Sequence, residues 1–171
     1  NVSANICVPI PRDITDELAA ATHLKGMTTE MLVERVGNVK KGDVVLMHSA
    51  SGGVGLLLCQ WAKARGATVI GTASSALKCK EITRAGAKHA IDTSKKDVAK
   101  EVAKITKGQG VDVVFDPVGK DTYETSLACL KDRGLLASFG GASGPVPDVN
   151  LNEFRYMARA WRLTRASLFN Y

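Results

Sequence analysis

Short apolar runs alternate with helix-forming segments along most of the chain, and this alternation constrains the fold more than any other feature. The apolar runs occupy residues 44–49, 68–73, 89–92, 111–116 and 134–140. Between them, apolar residues recur at helical spacing in residues 54–65, 76–85, 96–106 and 121–131. Strands joined by crossover helices are parallel, and continuous apolar strands indicate a sheet covered on both faces. The pattern therefore predicts an α/β fold with a doubly wound parallel sheet.

The two ends of the chain carry weaker signals. Residues 16–37 have apolar side chains at helical spacing, and we expect two helical pieces that pivot at Gly26. Residues 1–11 are extended in character and contain prolines, as a strand entering from elsewhere would. Residues 151–162 are helical or mixed in character, and a sixth strand is expected near residues 162–169.

Composition narrows the class of protein. With 171 residues, 45% of them hydrophobic and 23% charged, one globular domain is expected. The sequence contains neither a long apolar run nor a leader-like segment, which favours a soluble cytoplasmic protein without a membrane span. The four cysteines form no Cys-x-x-Cys pair, which argues against a zinc site or a disulfide framework. They are Cys7, Cys59, Cys79 and Cys129.

The charge of the chain favours an anionic ligand. The chain has 23 basic and 17 acidic residues, and its formal net charge is +6. Much of the excess lies between residues 60 and 110, mostly on expected helix faces. Aromatic residues make up only 5% of the chain, so stacking surfaces for nucleic acid are scarce and a nucleic-acid partner is not expected.

A glycine-rich turn follows the first apolar run and leads directly into a helical segment. Such a turn between strand and helix is typical of the Rossmann dinucleotide fold, in which backbone amides at the helix start hold a pyrophosphate. Gly52 and Gly53 would let the backbone approach the phosphates, and Gly55 would let the helix pack closely on the strand. A Gly53→Val change should therefore weaken binding. The predicted turn comprises Ala50, which replaces the first glycine, Ser51, Gly52, Gly53, Val54 and Gly55.

The end of the second apolar run discriminates between dinucleotides. NAD-binding proteins place an acidic residue there to bind the ribose 2′-hydroxyl, and methyltransferases with a similar turn also have an acid at this point. This chain has Thr72, Ala73, Ser74 and Ser75, followed by Lys78. Hydroxyls and a positive charge suit a 2′-phosphate, so the sequence predicts NADPH rather than NADH.

The sequence does not identify catalytic residues. His23, His48 and His89 are scattered, and no pair of carboxylates forms a defensible acid and base. His48 falls within a predicted core strand, where a packed or hydrogen-bonded role is expected.

In combination, several segments resemble the zinc-free quinone oxidoreductases, the zeta-crystallin-like branch of the medium-chain dehydrogenase/reductase superfamily. They are LKGMTTEML, HSASGGVGLLLCQWAKARGATVIGT, FDPVGKDTYETSL and GLLASFGGASG. The resemblance implies a protein about twice as long. Residues 1–11 would be the tail of a missing GroES-like catalytic domain, and residues 12–171 the dinucleotide-binding domain.

The resemblance also implies roles for individual residues. Thr28, Phe139 and Gly140 would lie near the nicotinamide, and residues 52–55 would hold the pyrophosphate. Ser74 and Lys78 would bind the 2′-phosphate, and Thr93 stands where relatives have a tyrosine against the adenosine phosphate. Lys25 occupies the position of a metal-binding cysteine in zinc-dependent relatives. Because an ammonium group cannot ligate zinc, the lysine implies a metal-free reductase.

The function implied is transfer of a hydride from NADPH to a quinone or a similar conjugated acceptor, with little activity expected from this chain alone. Two alternatives remain. One is an enoyl or alkenal reductase of the same superfamily, and the other is a non-enzymatic, crystallin-like module that binds NADPH or RNA. Family analogy further suggests a homodimer formed through the sixth strand.

Overall fold

Six parallel strands form one sheet in the computed structural model, which describes residues 2, 3, 5, 7–149 and 159–171. The strands are β1 (Val44–Met47), β2 (Thr68–Ala73), β3 (His89–Asp92), β4 (Val111–Asp116), β5 (Leu130–Ser138) and β6 (Arg162–Arg165). Their order is β3-β2-β1-β4-β5-β6. The chain thus builds one half of the sheet outward from β1 and the other outward from β4. This confirms the predicted doubly wound arrangement.

Five α-helices of the described residues cover the two faces of the sheet. They are α1 (Asp16–Glu30), α2 (Gly53–Ala64), α3 (Ala76–Ala85), α4 (Val98–Ile105) and α5 (Tyr123–Cys129). Leu58 of α2 and Ile82 of α3 belong to the core on one face. Val102 of α4 and Leu127 of α5 belong to the core on the other. Burial on both faces explains the continuous apolar strands.

The helical region before β1 differs from the prediction. Helix α1 runs without a break through Gly26, and a π-helical turn (Met31–Val36) follows it. The expected pivot at Gly26 was therefore wrong. Glycine permits a break but does not require one, and its cost of about 1 kcal/mol in a helix can be offset by packing of neighbouring residues. Met31 is buried in the core, so the irregular turn lies where the segment packs most tightly.

Several observed strand boundaries also differ from the predicted ones. β1 ends at Met47 rather than at residue 49, and β5 begins at Leu130 rather than at residue 134. β6 is only four residues long, and a 3₁₀ turn (Leu168–Asn170) follows it. Residues 7–11 belong to no strand. The segment expected to be helical or mixed, residues 151–162, lies largely outside the described residues.

Candidate dinucleotide-binding site

The glycine turn lies at the point where the strand order reverses. β1 and β4 are neighbours in the sheet but lead into opposite halves of it, and ligands of such folds bind outside the carboxyl ends of these strands. The turn is tied to β2 because the Ala50 amide donates to the Thr72 carbonyl oxygen at 2.9 Å. Ser49 adopts a φ of 52°, a left-handed conformation that turns the chain sharply after β1.

Helix α2 begins without a side-chain cap. Its N-cap residue is Gly52, whereas α1, α3 and α4 are capped by the side chains of Thr15, Ser75 and Asp97. The first amides of α2 therefore have no side-chain acceptor from their own N-cap. Free amides and the positive end of the helix dipole are the features that bind an anion such as a phosphate.

The three glycines of the turn have different surroundings. A Cβ on Gly55 would lie 2.5 Å from the carbonyl oxygen and 2.6 Å from the Cα of Ala50, so α2 packs directly on the turn backbone. A Cβ on Gly52 would meet only the Ser49 carbonyl oxygen, at 3.3 Å. A Cβ on Gly53 would meet the side chain of Lys25. Close helix packing thus explains Gly55 as the sequence predicted, while Gly53 faces a lysine.

A cleft of about 320 Å³ opens beside the turn and brings together four of the predicted residues. Ser51, Ser74, Lys78 and Thr93 all line it. Lys78 Nζ donates to Ser74 Oγ at 3.4 Å, so the ammonium group stands at the carboxyl end of β2. The Thr93 hydroxyl donates to the Ala73 carbonyl oxygen at 3.3 Å. The cleft is therefore polar where β2 ends and carries a positive charge there.

The other predicted residues do not line this cleft. Ala50, the first residue of the turn, is fully buried, which explains the small side chain at that position. Thr28 lies on α1, and its hydroxyl donates to the Leu24 carbonyl oxygen at 2.8 Å. Phe139 and Gly140 follow β5, and a Cβ on Gly140 would overlap the backbone of Pro117. Val54 packs at the edge of the core.

The sequence interpretation did not recognise a row of three buried polar residues, two of which, His48 and Thr72, line the floor of the cleft. Thr72, His48 and Asp116 lie one position beyond the aligned residues Gly71, Met47 and Phe115, and are therefore neighbours on one sheet face. All three side chains are buried. The signal that could have found this row is a polar residue at or next to the end of each of three apolar runs whose carboxyl ends meet.

Asp116 is the centre of this row. Its carboxylate accepts the backbone amides of Val118 at 2.8 Å and Gly119 at 3.1 Å. It also accepts the hydroxyls of Thr122 and Ser126, each at 2.8 Å. One buried carboxylate thus fixes both the loop after β4 and the start of α5, and these two segments form one wall of the cleft.

His48 lies immediately after β1 and is only 2% exposed. Its Nδ1 atom is 3.4 Å from Thr72 Oγ1, and its Nε2 atom has no hydrogen-bond partner among the described residues. Burial lowers the pKa of His48 below its ordinary value of 6.5, and the nearby negative charge of Asp116 offsets part of that effect. The expectation that His48 is buried and packed is confirmed, although β1 ends at Met47, one residue before His48.

His48 should make the protein less stable as the pH falls below about 6.5. Its pKa is lowered in the folded protein, so the unfolded chain binds the proton more readily and stability falls with falling pH, by at most about 1.4 kcal/mol per pH unit. Urea unfolding at pH 7.5 and pH 5 should therefore show a smaller pH-dependent loss for His48→Phe than for the wild type. Equal losses in the two proteins would contradict this assignment.

Neither a metal site nor a membrane span is apparent in the part of the chain that the structure describes. Residues 2, 3, 5, 7–149 and 159–171 contain no group of three His, Cys, Asp or Glu side chains placed to hold a metal ion. None of the helices formed by these residues is long and apolar enough to cross a bilayer.

Known proteins resemble this chain over most of its length. A family model described as zinc-binding dehydrogenase matches residues 53–169. A quinone oxidoreductase of Pseudomonas aeruginosa is 47% identical over 164 residues, which are 96% of this chain and 50% of that protein. A 2-haloacrylate reductase of a Burkholderia species is 42% identical over 97% of this chain and 50% of its own length. The structure of Escherichia coli quinone oxidoreductase complexed with NADPH superposes with a TM-score of 0.91 at 43% identity, covering 96% of this chain and 50% of that one.

The parallel sheet, its reversal point and the uncapped glycine turn define a dinucleotide-binding domain of the Rossmann class. More particularly, the chain belongs to the zinc-binding dehydrogenase family and represents the cofactor-binding domain of its quinone oxidoreductase branch. It spans about half the length of the curated relatives that it matches.

Proposed function

We propose that this chain binds NADPH for a quinone oxidoreductase. The observation that carries the proposal is the end of β2, where Ser74 and Lys78 line the cleft and no carboxylate lies between the end of β2 and the start of α3. A serine hydroxyl and an ammonium group can both donate to the ribose 2′-phosphate, whereas the acidic residue of NAD-binding proteins would repel it. The E. coli relative, solved with NADPH, supports the same cofactor.

The remaining predicted residues would bind the rest of the dinucleotide. The turn from Ala50 to Gly55 would hold the pyrophosphate with the free amides of α2. Thr93 lines the cleft and would lie against the adenosine phosphate. Thr28, Phe139 and Gly140 would border the nicotinamide, a role suggested by family resemblance.

The proposed reaction is reduction of a quinone. When bound, NADPH supplies a hydride from C4 of its nicotinamide, and with one proton this reduces the quinone to a hydroquinone. The residues of this chain bind and orient the dinucleotide, and none is assigned a proton-transfer role. Reduction of a conjugated alkene is the second candidate, favoured by the similarity to the 2-haloacrylate reductase. Comparing NADPH oxidation with a quinone and with a 2-haloacrylate separates the two candidates.

The assembly around this domain is also part of the proposal. A GroES-like catalytic domain would precede residue 12, with residues 1–11 as its tail, which accords with the half-length match to the relatives. The enzyme would be free of zinc because Lys25 cannot ligate the metal. It would dimerise through β6, which is an edge strand of the sheet that the described residues form. It would reside in the cytoplasm, where the four free cysteines stay reduced.

Lys78→Ala tests the cofactor assignment. Isothermal titration calorimetry should show that the wild type prefers NADPH over NADH by more than about ten-fold, because a charge-assisted hydrogen bond to phosphate contributes about 1.5 to 3 kcal/mol. In Lys78→Ala the affinity for NADPH should fall by a similar factor and the affinity for NADH should hardly change. Lys80→Ala removes a neighbouring exposed lysine outside the cleft and should alter neither. Equal wild-type affinities for the two dinucleotides would refute the assignment.

A further inference from the structure

The side chain of Lys25 packs against Gly53 on the side where other residues carry a Cβ atom. Its Cδ and Cε atoms are 2.6 and 2.7 Å from the point that a Cβ on Gly53 would occupy, and its Nζ atom is 3.2 Å from that point. Gly53 is the first residue of α2. The aliphatic part of a lysine on α1 thus packs against the glycine, and the ammonium group stands beside the amino end of α2.

The exposed Lys25 side chain therefore places a positive charge beside a helix end that is itself partly positive. The amino end of a helix carries a partial positive charge, and the Gly52 N-cap adds no carboxylate or hydroxyl to neutralise it. In the described chain, the lysines that pair with carboxylates are Lys96, Lys100, Lys104 and Lys131. Lys25 is not among them. Two like charges therefore meet at the glycine turn, and an anion between them would be attracted by both.

We propose that Lys25 is a ligand for the pyrophosphate of the dinucleotide, which it binds together with the free amides of α2. The inference rests on the proposed function, and it explains why residue 53 is a glycine. Glycine at this position leaves room for the Lys25 side chain, so a larger residue would weaken binding by displacing the lysine. The sequence led to a different explanation, in which Gly53 makes room for the phosphate itself. An experiment can distinguish these two explanations.

Two lysines would then recognise two different phosphate groups of one cofactor. Lys78, at the end of β2, would address the 2′-phosphate, which NADPH has and NADH lacks. Lys25, on α1, would address the pyrophosphate, which both dinucleotides contain. Adenosine 2′-monophosphate has the 2′-phosphate but no pyrophosphate, so it separates the two contributions.

The test measures affinities of Lys25→Ala for these three ligands by calorimetry. NADPH and NADH should both bind about ten-fold more weakly, because each loses a charge-assisted contact, while adenosine 2′-monophosphate should change by less than about two-fold. Lys25→Arg should restore much of the loss. Lys78→Ala should give the complementary pattern, with NADPH and adenosine 2′-monophosphate weakened and NADH unchanged.

Lys63→Ala is a matched control for removal of a lysine that packs on a glycine. The side chain of Lys63, in the last turn of α2, lies against Gly86 much as that of Lys25 lies against Gly53. It is far along the helix from the turn, and its removal should leave all three affinities unchanged.

A double-mutant cycle tests whether residue 53 must be a glycine in order to accommodate the Lys25 side chain. Gly53→Ala should weaken NADPH binding about five-fold in the wild type but by less than about two-fold in the Lys25→Ala background, since the lysine it displaces is already absent. Equal effects in both backgrounds would overturn the proposed coupling, as would unchanged affinities in Lys25→Ala. A wild type that binds neither dinucleotide would instead refute the proposed function itself.

Discussion

Replacing Gly55 by alanine should lower the free energy of unfolding by about 2 to 3 kcal/mol, because the new methyl group meets backbone that cannot swing away. The nearest atoms are the carbonyl oxygen, Cα and carbonyl carbon of Ala50, at 2.5, 2.6 and 2.7 Å. Ala50 is itself fully buried and is held by its hydrogen bond to Thr72. Helix α2 would therefore have to move away from the turn, which would open the core around Leu58 and displace the amides proposed to bind phosphate.

Gly52→Ala is the control for this prediction. Its Cβ would meet only the Ser49 carbonyl oxygen, at 3.3 Å, and its φ of −74° suits any residue. Exchanging glycine for alanine at an N-cap should cost less than about 1 kcal/mol. Urea unfolding should separate the stabilities of the two variants clearly. Equal stability of the two variants would show that α2 does not depend on this contact.

The sequence predicted the sheet well because continuous apolar runs carry the signal for buried parallel strands. The bounds of β2, β3 and β4 agree with the predicted runs, and β2 and β4 are buried over almost their whole length. Boundaries failed where a polar residue continues an apolar run. His48 and Ser49 look like the end of a strand, but the chain turns there so that the glycine segment can cross the sheet edge.

The candidate site was only partly predictable, because the sequence shows motifs but not what packs against them. The turn and Lys78 could be predicted because they are local patterns, and four of the predicted residues line one cleft. The contact between Lys25 and Gly53 joins residues on two different helices. No spacing rule reveals such a contact, although both residues had been singled out for other reasons.

The same limit applies to Asp116, which appears in the sequence as the last residue of an apolar run. Its importance lies in the four groups that donate to its carboxylate, and these come from a loop and a helix that follow it. A buried acceptor that serves so many donors is a structural requirement, because the Gly119 amide and the Ser126 hydroxyl would otherwise be buried without a partner and the Val118 amide would be left only partly exposed to water.

Asp116→Ala should therefore destabilise the protein by about 3 to 5 kcal/mol, since two backbone amides and the Ser126 hydroxyl lose their acceptor at once and each unsatisfied group costs about 1 to 3 kcal/mol before water or local movement compensates. The Thr122 hydroxyl retains the Gly119 carbonyl oxygen as an acceptor. Ser126→Ala removes only one donor and should cost about 1 kcal/mol. Urea unfolding of both variants gives the comparison. A loss in Asp116→Ala no larger than that in Ser126→Ala would show that the loop after β4 is held by other contacts.

NADPH binding should weaken in Asp116→Ala even under conditions where the variant remains folded, because Val118 and Thr122 line the cleft and both depend on this carboxylate for their position.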